Sequence, residues 1–188
     1  LEVLILHGIG GHAGIHWQQW LHDELEKVGC KVIMPDLPES DHPDRKAWLK
    51  AAGDSIEGLD PTSLIIVGHS LGVTTALDLI EIGNKSVFGL ACVSGFAEDY
   101  GAELNSYFLR ERTVDFEVIN ARVKKVAVFY GDNDPFVTQT ALLNLSQELK
   151  VKPFILPSGG HLNSDAGFIE FPELLQSITS WLQASGVV

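Results

Sequence analysis

The chain has 188 residues, 45% hydrophobic and 20% charged, values ordinary for one globular domain with a single sizeable core. A formal net charge of −12 argues against nucleic acid and anionic membranes, both of which need a basic face, and disfavours polyanionic substrates. No run approaches the roughly 20 apolar residues that a bilayer span requires.

Leu1–Leu6 is too short for a secretory apolar region and lacks a basic flank, so Glu2–Leu6 reads as a strand. The chain does not open on methionine, and residues before Leu1 are expected. A glycine-rich loop, His7–Gly14, leads to a predicted helix over 16–28, where Trp17, Trp20, Leu21, Leu25 and Val28 fall at helical spacing before Gly29. Lys31–Met34 reads as a second strand, stopped by Pro35 and Pro38. Trp48, Ala52, Ile56 and Leu59 mark a second helix, weakened by Gly53. Ser63–Val67 reads as a strand, Val73–Ile82 as a helix closed by Gly83-Asn84, and Val87–Val93 as a strand. The segment 94–122 is the least regular, with Phe96, Tyr100, Tyr107, Phe108 and Phe116 scattered through it, and is the candidate for a minimal cap. Then come a strand at Lys125–Tyr130, a helix at Gln139–Leu149, a last strand at Pro153–Leu156 and a closing helix at Phe171–Ala184. Apolar strands alternating with helices imply an α/β fold: a mostly parallel sheet of about six strands, helices on both faces, one domain over 1–188. Ligands in such sheets bind beyond the carboxyl ends of the strands. Cys30 and Cys92 sit in apolar surroundings and are expected as buried free thiols, which fits a cytoplasmic location.

Gly68-His69-Ser70-Leu71-Gly72 is a G-x-S-x-G pentapeptide placed between the third strand and the following helix. That is the layout of a nucleophile elbow, in which a strained serine sits on a sharp turn at a helix N-terminus. A serine hydroxyl is a poor nucleophile at neutral pH and needs a base and a group to orient that base. In elbow folds the chain order is Ser, then Asp or Glu, then His. Two acids compete in Gly131-Asp132-Asn133-Asp134, after the fifth strand. Asp134, at the loop tip, is the choice for the triad, and Asp132 is expected to support the turn through its own backbone. His161, in the Gly159-Gly160-His161 loop after the sixth strand, is the only histidine of the C-terminal half and the candidate base. The oxyanion of a tetrahedral intermediate needs two N–H donors. Leu71, after the nucleophile, supplies one, and the first loop supplies the other, from Ile9 first and Gly10 second.

The remaining histidines carry less. His69 is expected to pack under the elbow, His7 to brace the first loop, and His22 and His42 to lie on the surface. His12 and His16 are four apart, a spacing that on a helix would put two ligands on one face. No third ligand joins them, so no metal and no cofactor are expected.

Several of these stretches resemble the α/β-hydrolases and, more narrowly, the small YdeN-type serine hydrolases, a family that includes a human retinoblastoma-binding hydrolase. The likeness covers nearly the whole chain. It rests on His7-Gly8 with His16-Trp17-x-x-Trp20-Leu21, on Gly68–Gly72, on Asp134-Pro135-x-Val137, and on Gly160-His161-Leu162-Asn163 through Gly167-Phe168-x-x-Phe171-Pro172. The resemblance implies a triad of Ser70, Asp134 and His161, a compact fold without a large lid, and hydrolysis of small acyl esters. Where the human relative has a Leu-x-Cys-x-Glu partner motif, this chain has Leu90-Ala91-Cys92-Val93-Ser94, so binding to a retinoblastoma-type protein is not expected. The expected activity is a carboxylesterase-like cleavage of an ester or thioester through an acyl-enzyme, with a small-molecule acyl substrate. The alternatives are a non-catalytic interaction module on the same fold and an acyltransferase using the same triad.

Overall fold

A computed structural model describes residues 1–184. Six parallel strands form the sheet: β1 (Glu2–Leu6), β2 (Lys31–Ile33), β3 (Leu64–His69), β4 (Val87–Val93), β5 (Val123–Gly131) and β6 (Phe154–Leu156), in the order β2-β1-β3-β4-β5-β6. The helices are α1 (Gln18–Lys27), α2 (Arg45–Ser55), α3 (Leu71–Glu81), α4 (Ser106–Arg110), α5 (Phe116–Arg122), α6 (Gln139–Glu148) and α7 (Pro172–Ala184).

Side chains alternate across a strand, so each strand feeds two cores. Val3 and Ile5 of β1, Ile65 and Val67 of β3, and Ala91 and Val93 of β4 pack with Leu21 and Leu25 of α1 and Leu174 and Ile178 of α7. Leu4, Leu6, Ile66, Leu90 and Cys92 pack on the other face with Trp48 of α2, Leu77 of α3, Ile119 of α5 and Leu142 of α6. Covering both faces explains why β3 is apolar from Leu64 to Gly68 and buried along its whole length. Leu90–Ser94 is buried throughout as β4 and its end, and Cys30 and Cys92 are free and buried.

The chain leaves β1 toward one face through α1 and leaves β3 toward the other through α3. This reversal between adjacent strands opens a crevice at their carboxyl ends, where the first loop and the Ser70 turn face each other.

Two details depart from the sequence reading. His16 has φ 60°, a left-handed conformation no helix accommodates, so α1 starts at Gln18 rather than at 16, and His12 and His16 do not share a helix. The irregular segment 94–122 contains α4 and α5, each seven residues or fewer and too short to show periodicity. No large lid covers the sheet among the described residues. Among the described residues no helix is long and apolar enough to cross a membrane.

What fastens this segment is a buried ion cluster. Arg45 of α2 makes a two-pronged bond to Asp78 of α3 (2.7 and 2.8 Å) and donates to the carbonyls of Phe108, Leu109 and Arg112. Arg112 closes on Asp78 from the other side at 2.6 Å. Both Arg45 and Asp78 are essentially solvent-free. Removing one partner of a buried pair strands the other charge, which costs more than replacing both. Asp78→Ala is therefore expected to lower stability by about 3–5 kcal/mol in urea unfolding. The Arg45→Met, Asp78→Leu double variant should lose less than Asp78→Ala alone; an equal or larger loss would contradict this reading of the cluster.

Candidate active site

Ser70 follows β3 directly and has φ 54° and ψ −125°, a conformation that costs a non-glycine residue about 1–3 kcal/mol. Its N–H is tied to the Val93 carbonyl of the neighbouring strand at 2.8 Å. The turn is tight because α3 lies hard against β1. A Cβ at Gly72 would sit 2.5 Å from the Leu6 and His7 carbonyl oxygens, so no other residue fits there. Leu71 is the first residue of α3, and its N–H is one of the four that a helix start leaves without an internal partner.

The first loop is set by His7. Its Nδ1 donates to the Gly8 carbonyl at 2.8 Å and its Nε2 accepts from the Leu37 N–H at 2.9 Å, which fixes the tautomer and braces the loop from both sides. Gly10 donates its N–H to the Ser40 carbonyl at 2.7 Å and is thereby removed as an oxyanion donor. The Ile9 N–H has no acceptor among the described residues, and both Gly8 and Ile9 line the cavity that Ser70 faces.

Three consecutive side chains after β5 stitch this loop to the one after β6. Asp132 Oδ1 accepts from the Ser158 N–H and Asn133 Oδ1 from the Gly160 N–H, both at 2.7 Å, and Asp134 Oδ2 accepts from His161 Nδ1 at 2.8 Å. Asp132 thus bridges two loops instead of supporting its own turn. The loops touch through backbone: a Cβ at Gly131 would lie 2.3 Å from the Gly160 carbonyl oxygen. The other oxygen of Asp134 accepts from the Phe136 and Val137 N–H groups at 2.9 and 3.0 Å, so a solvent-free carboxylate is held by three donors. A carboxylate facing Nδ1 can only accept, which puts the imidazole hydrogen on Nδ1 and leaves the Nε2 lone pair open. Phe136 meets the His161 ring edge-on at 5.2 Å.

Ser70, His161 and His69 line one cavity of about 480 Å³, within the range of small-molecule sites. Ser70 and His161 share this wall without a hydrogen bond between them, while Asp134 and His161 are joined. None of the cavity's lining residues is lysine or arginine. A larger groove, about 800 Å³, lies between 97–117 and α6, and none of Ser70, Asp134 and His161 lines it.

His69 does more than pack under the elbow. Its Nε2–H donates to the His161 carbonyl at 3.0 Å, and its ring meets those of His16, Trp17 and His161 at 5.1–5.8 Å. Burial, then the neighbouring His161, holds its pKa well below the ordinary 6.5. His7 and His16 are lowered too, in each case first by burial. His16 receives the Ser164 hydroxyl at 2.8 Å, which ties the first loop to the segment after His161. The folded chain keeps these rings neutral where the unfolded chain protonates, so stability falls as pH drops below about 6.5 toward the folded values. His69→Gln is expected to flatten that fall, which for one proton approaches about 1.4 kcal/mol per pH unit. Urea unfolding between pH 7.5 and 5 reads it, and an unchanged slope would remove His69 from the explanation.

Sequence reasoning passed over the His69 bond to the His161 carbonyl and the Asn133 stitch. A histidine inside an otherwise apolar strand was the available signal for the first, because a buried imidazole needs a partner.

The pattern of the serine hydrolase family fits residues 3–180. The hydrolase YdeN of Bacillus subtilis (strain 168) is 26% identical over 182 residues, 96% of this chain and 95% of that one. The crystal structure of the B. subtilis ydeN gene product superposes with a TM-score of 0.89 at 25% identity, covering 97% of this chain and 98% of that one. A thermophilic esterase from Thermogutta terrifontis shares the fold, with a TM-score of 0.72 at 16% identity over 98% of this chain and 90% of that one. The chain belongs to the serine hydrolase family, as an α/β-hydrolase of the YdeN type.

Proposed function

We propose that this chain cleaves a small acyl ester or thioester through an acyl-enzyme, with Ser70 as nucleophile, His161 as base and Asp134 as the group that orients the base. The observation that carries the proposal is the 2.8 Å bond from His161 Nδ1 to a solvent-free Asp134, on the rim of the cavity that also holds Ser70. With Nδ1 protonated, the Nε2 lone pair takes the Ser70 proton as Oγ attacks the carbonyl carbon. Proton transfer needs Oγ and Nε2 within about 2.6–3.2 Å, a geometry that sites without substrate often reach only on binding. The developing oxyanion takes the N–H groups of Ile9 and Leu71, neither of which has an acceptor among the described residues. Imidazolium, stabilised by Asp134, returns the proton to the leaving alcohol or thiol. Water then adds to the acyl-enzyme with His161 again as base, releasing the acid and restoring Ser70.

A cavity without lysine or arginine offers a substrate anion no counter-charge, and the net charge of −12 repels it, so the acyl group is not anionic. The short segment 94–122, whose Tyr100 and Asn105 reach the cavity, serves as a minimal cap. Rapid mixing with p-nitrophenyl acetate or butyrate tests the reading. A burst of nitrophenol equivalent to the enzyme, followed by slower turnover, is expected. Absence of turnover across acyl lengths from acetate to octanoate would overturn it.

A further inference from the structure

The cap side of the cavity holds a polar pair that the proposed chemistry does not use. Asn105 occupies the N-cap position of α4, where an asparagine side chain ordinarily accepts from the first helical N–H groups. Here it makes no capping bond. Its backbone is held by the Ala102 carbonyl at 3.1 Å, and its amide turns away, Nδ2 donating to the Tyr100 hydroxyl oxygen at 3.0 Å. The residue is 3% exposed, and Asn105 Oδ1 is buried with no partner among the described residues. Such an orphan acceptor in a cavity wall calls for an explanation, and a bound group supplies one. Tyr100, braced by the Phe96 ring at 4.9 Å, accepts the Asn105 bond and has no acceptor for its own O–H among the described residues. The pair therefore holds one spare acceptor and one spare donor, on two residues that line the same cavity as Ser70 and His161. Turning the amide over gives the same balance, because Tyr100 would then donate and Nδ2 would be spare.

We propose that Tyr100 and Asn105 form a recognition subsite for a neutral group that both donates and accepts, a hydroxyl or a primary or secondary amide carried on the acyl or alcohol chain of the substrate. The assignment rests on Ser70 being the nucleophile. It makes the natural substrate a hydroxylated or amide-bearing ester or thioester rather than a plain alkyl one. A site built around such a hydrogen bond discriminates strongly against an analogue that lacks it, since its buried polar atoms are then left unpaired.

The test compares fluorophosphonate probes of equal chain length: one plain alkyl, a set bearing a hydroxyl at successive carbons, and one bearing a primary amide. Second-order labelling rates are measured on the intact protein, on Tyr100→Phe and on Asn105→Leu. The ratio of polar to alkyl rate is taken within each preparation, so it does not depend on the folded fraction. The best polar probe is expected to outpace the alkyl probe by about tenfold or more, and each variant should bring that ratio to within about threefold of unity. A ratio near unity in the unmodified protein, or one that survives both substitutions, would overturn the subsite and leave the hydrolase reading standing. Failure of every probe to label Ser70 would instead overturn the nucleophile assignment, and the subsite with it.

Discussion

Ser70→Ala is expected to lower kcat toward p-nitrophenyl esters by about 10⁶, to the level left by binding and the oxyanion donors alone. The size follows from what the rest of the site is for. In the proposed mechanism the N–H groups of Ile9 and Leu71 await the substrate oxyanion, and the φ of 54° at Ser70 and the close contact of α3 with β1 at Gly72 present the one oxygen atom whose attack creates it, Ser70 Oγ. Alanine at position 70 keeps these features and removes only that oxygen, so the fold and the cavity should survive. Equal urea midpoints for the two proteins would show that the loss is chemical. A residual rate within tenfold of the unmodified protein would mean that another group attacks the ester.

Asp134→Asn is expected to lower kcat by about 10⁴, while Asp132→Asn leaves it within a few-fold. The asparagine can still accept from the Phe136 and Val137 N–H groups through one oxygen. It then points an amide N–H at His161 Nδ1 in place of a carboxylate oxygen 2.8 Å away. That reverses the tautomer: Nδ1 becomes the acceptor, Nε2 carries the hydrogen, and no lone pair faces Ser70. Asp132 offers only one oxygen to the Ser158 N–H, which asparagine supplies equally well. The opposite ranking would exchange the two acids.

Much of this site was legible because its signals are local. Glycines flanking a serine between a buried strand and a helix define the elbow, and Asp134 and His161 fall where strands end. The central strands β1, β3 and β4 announced themselves by apolar runs, since burial on both faces removes any need for polar alternation. What stayed hidden depends on contacts distant in sequence. Arg45 and Asp78 are 33 residues apart, and only the presence of an aspartate in the buried run of α3 hinted that a cation must meet it. The left-handed His16 could not be read from helical spacing, because Trp17, Leu21 and Leu25 keep that spacing across the true start. Tyr100 reads in the sequence as one of several scattered aromatics of an irregular segment, and no sequence signal singles out Asn105. Their pairing depends on how α4 is held down, which the Arg45 bonds to Phe108 and Leu109 decide.

The convergence of Ser70, His161 and Asp134 is open to one direct measurement: the site, stoichiometry and rate of covalent modification by an alkyl fluorophosphonate, read by peptide mass spectrometry. One equivalent on Ser70 is expected, with the rate falling by at least about a thousandfold in His161→Ala. An unmodified Ser70, or a rate indifferent to the loss of the imidazole, would contradict the proposed triad.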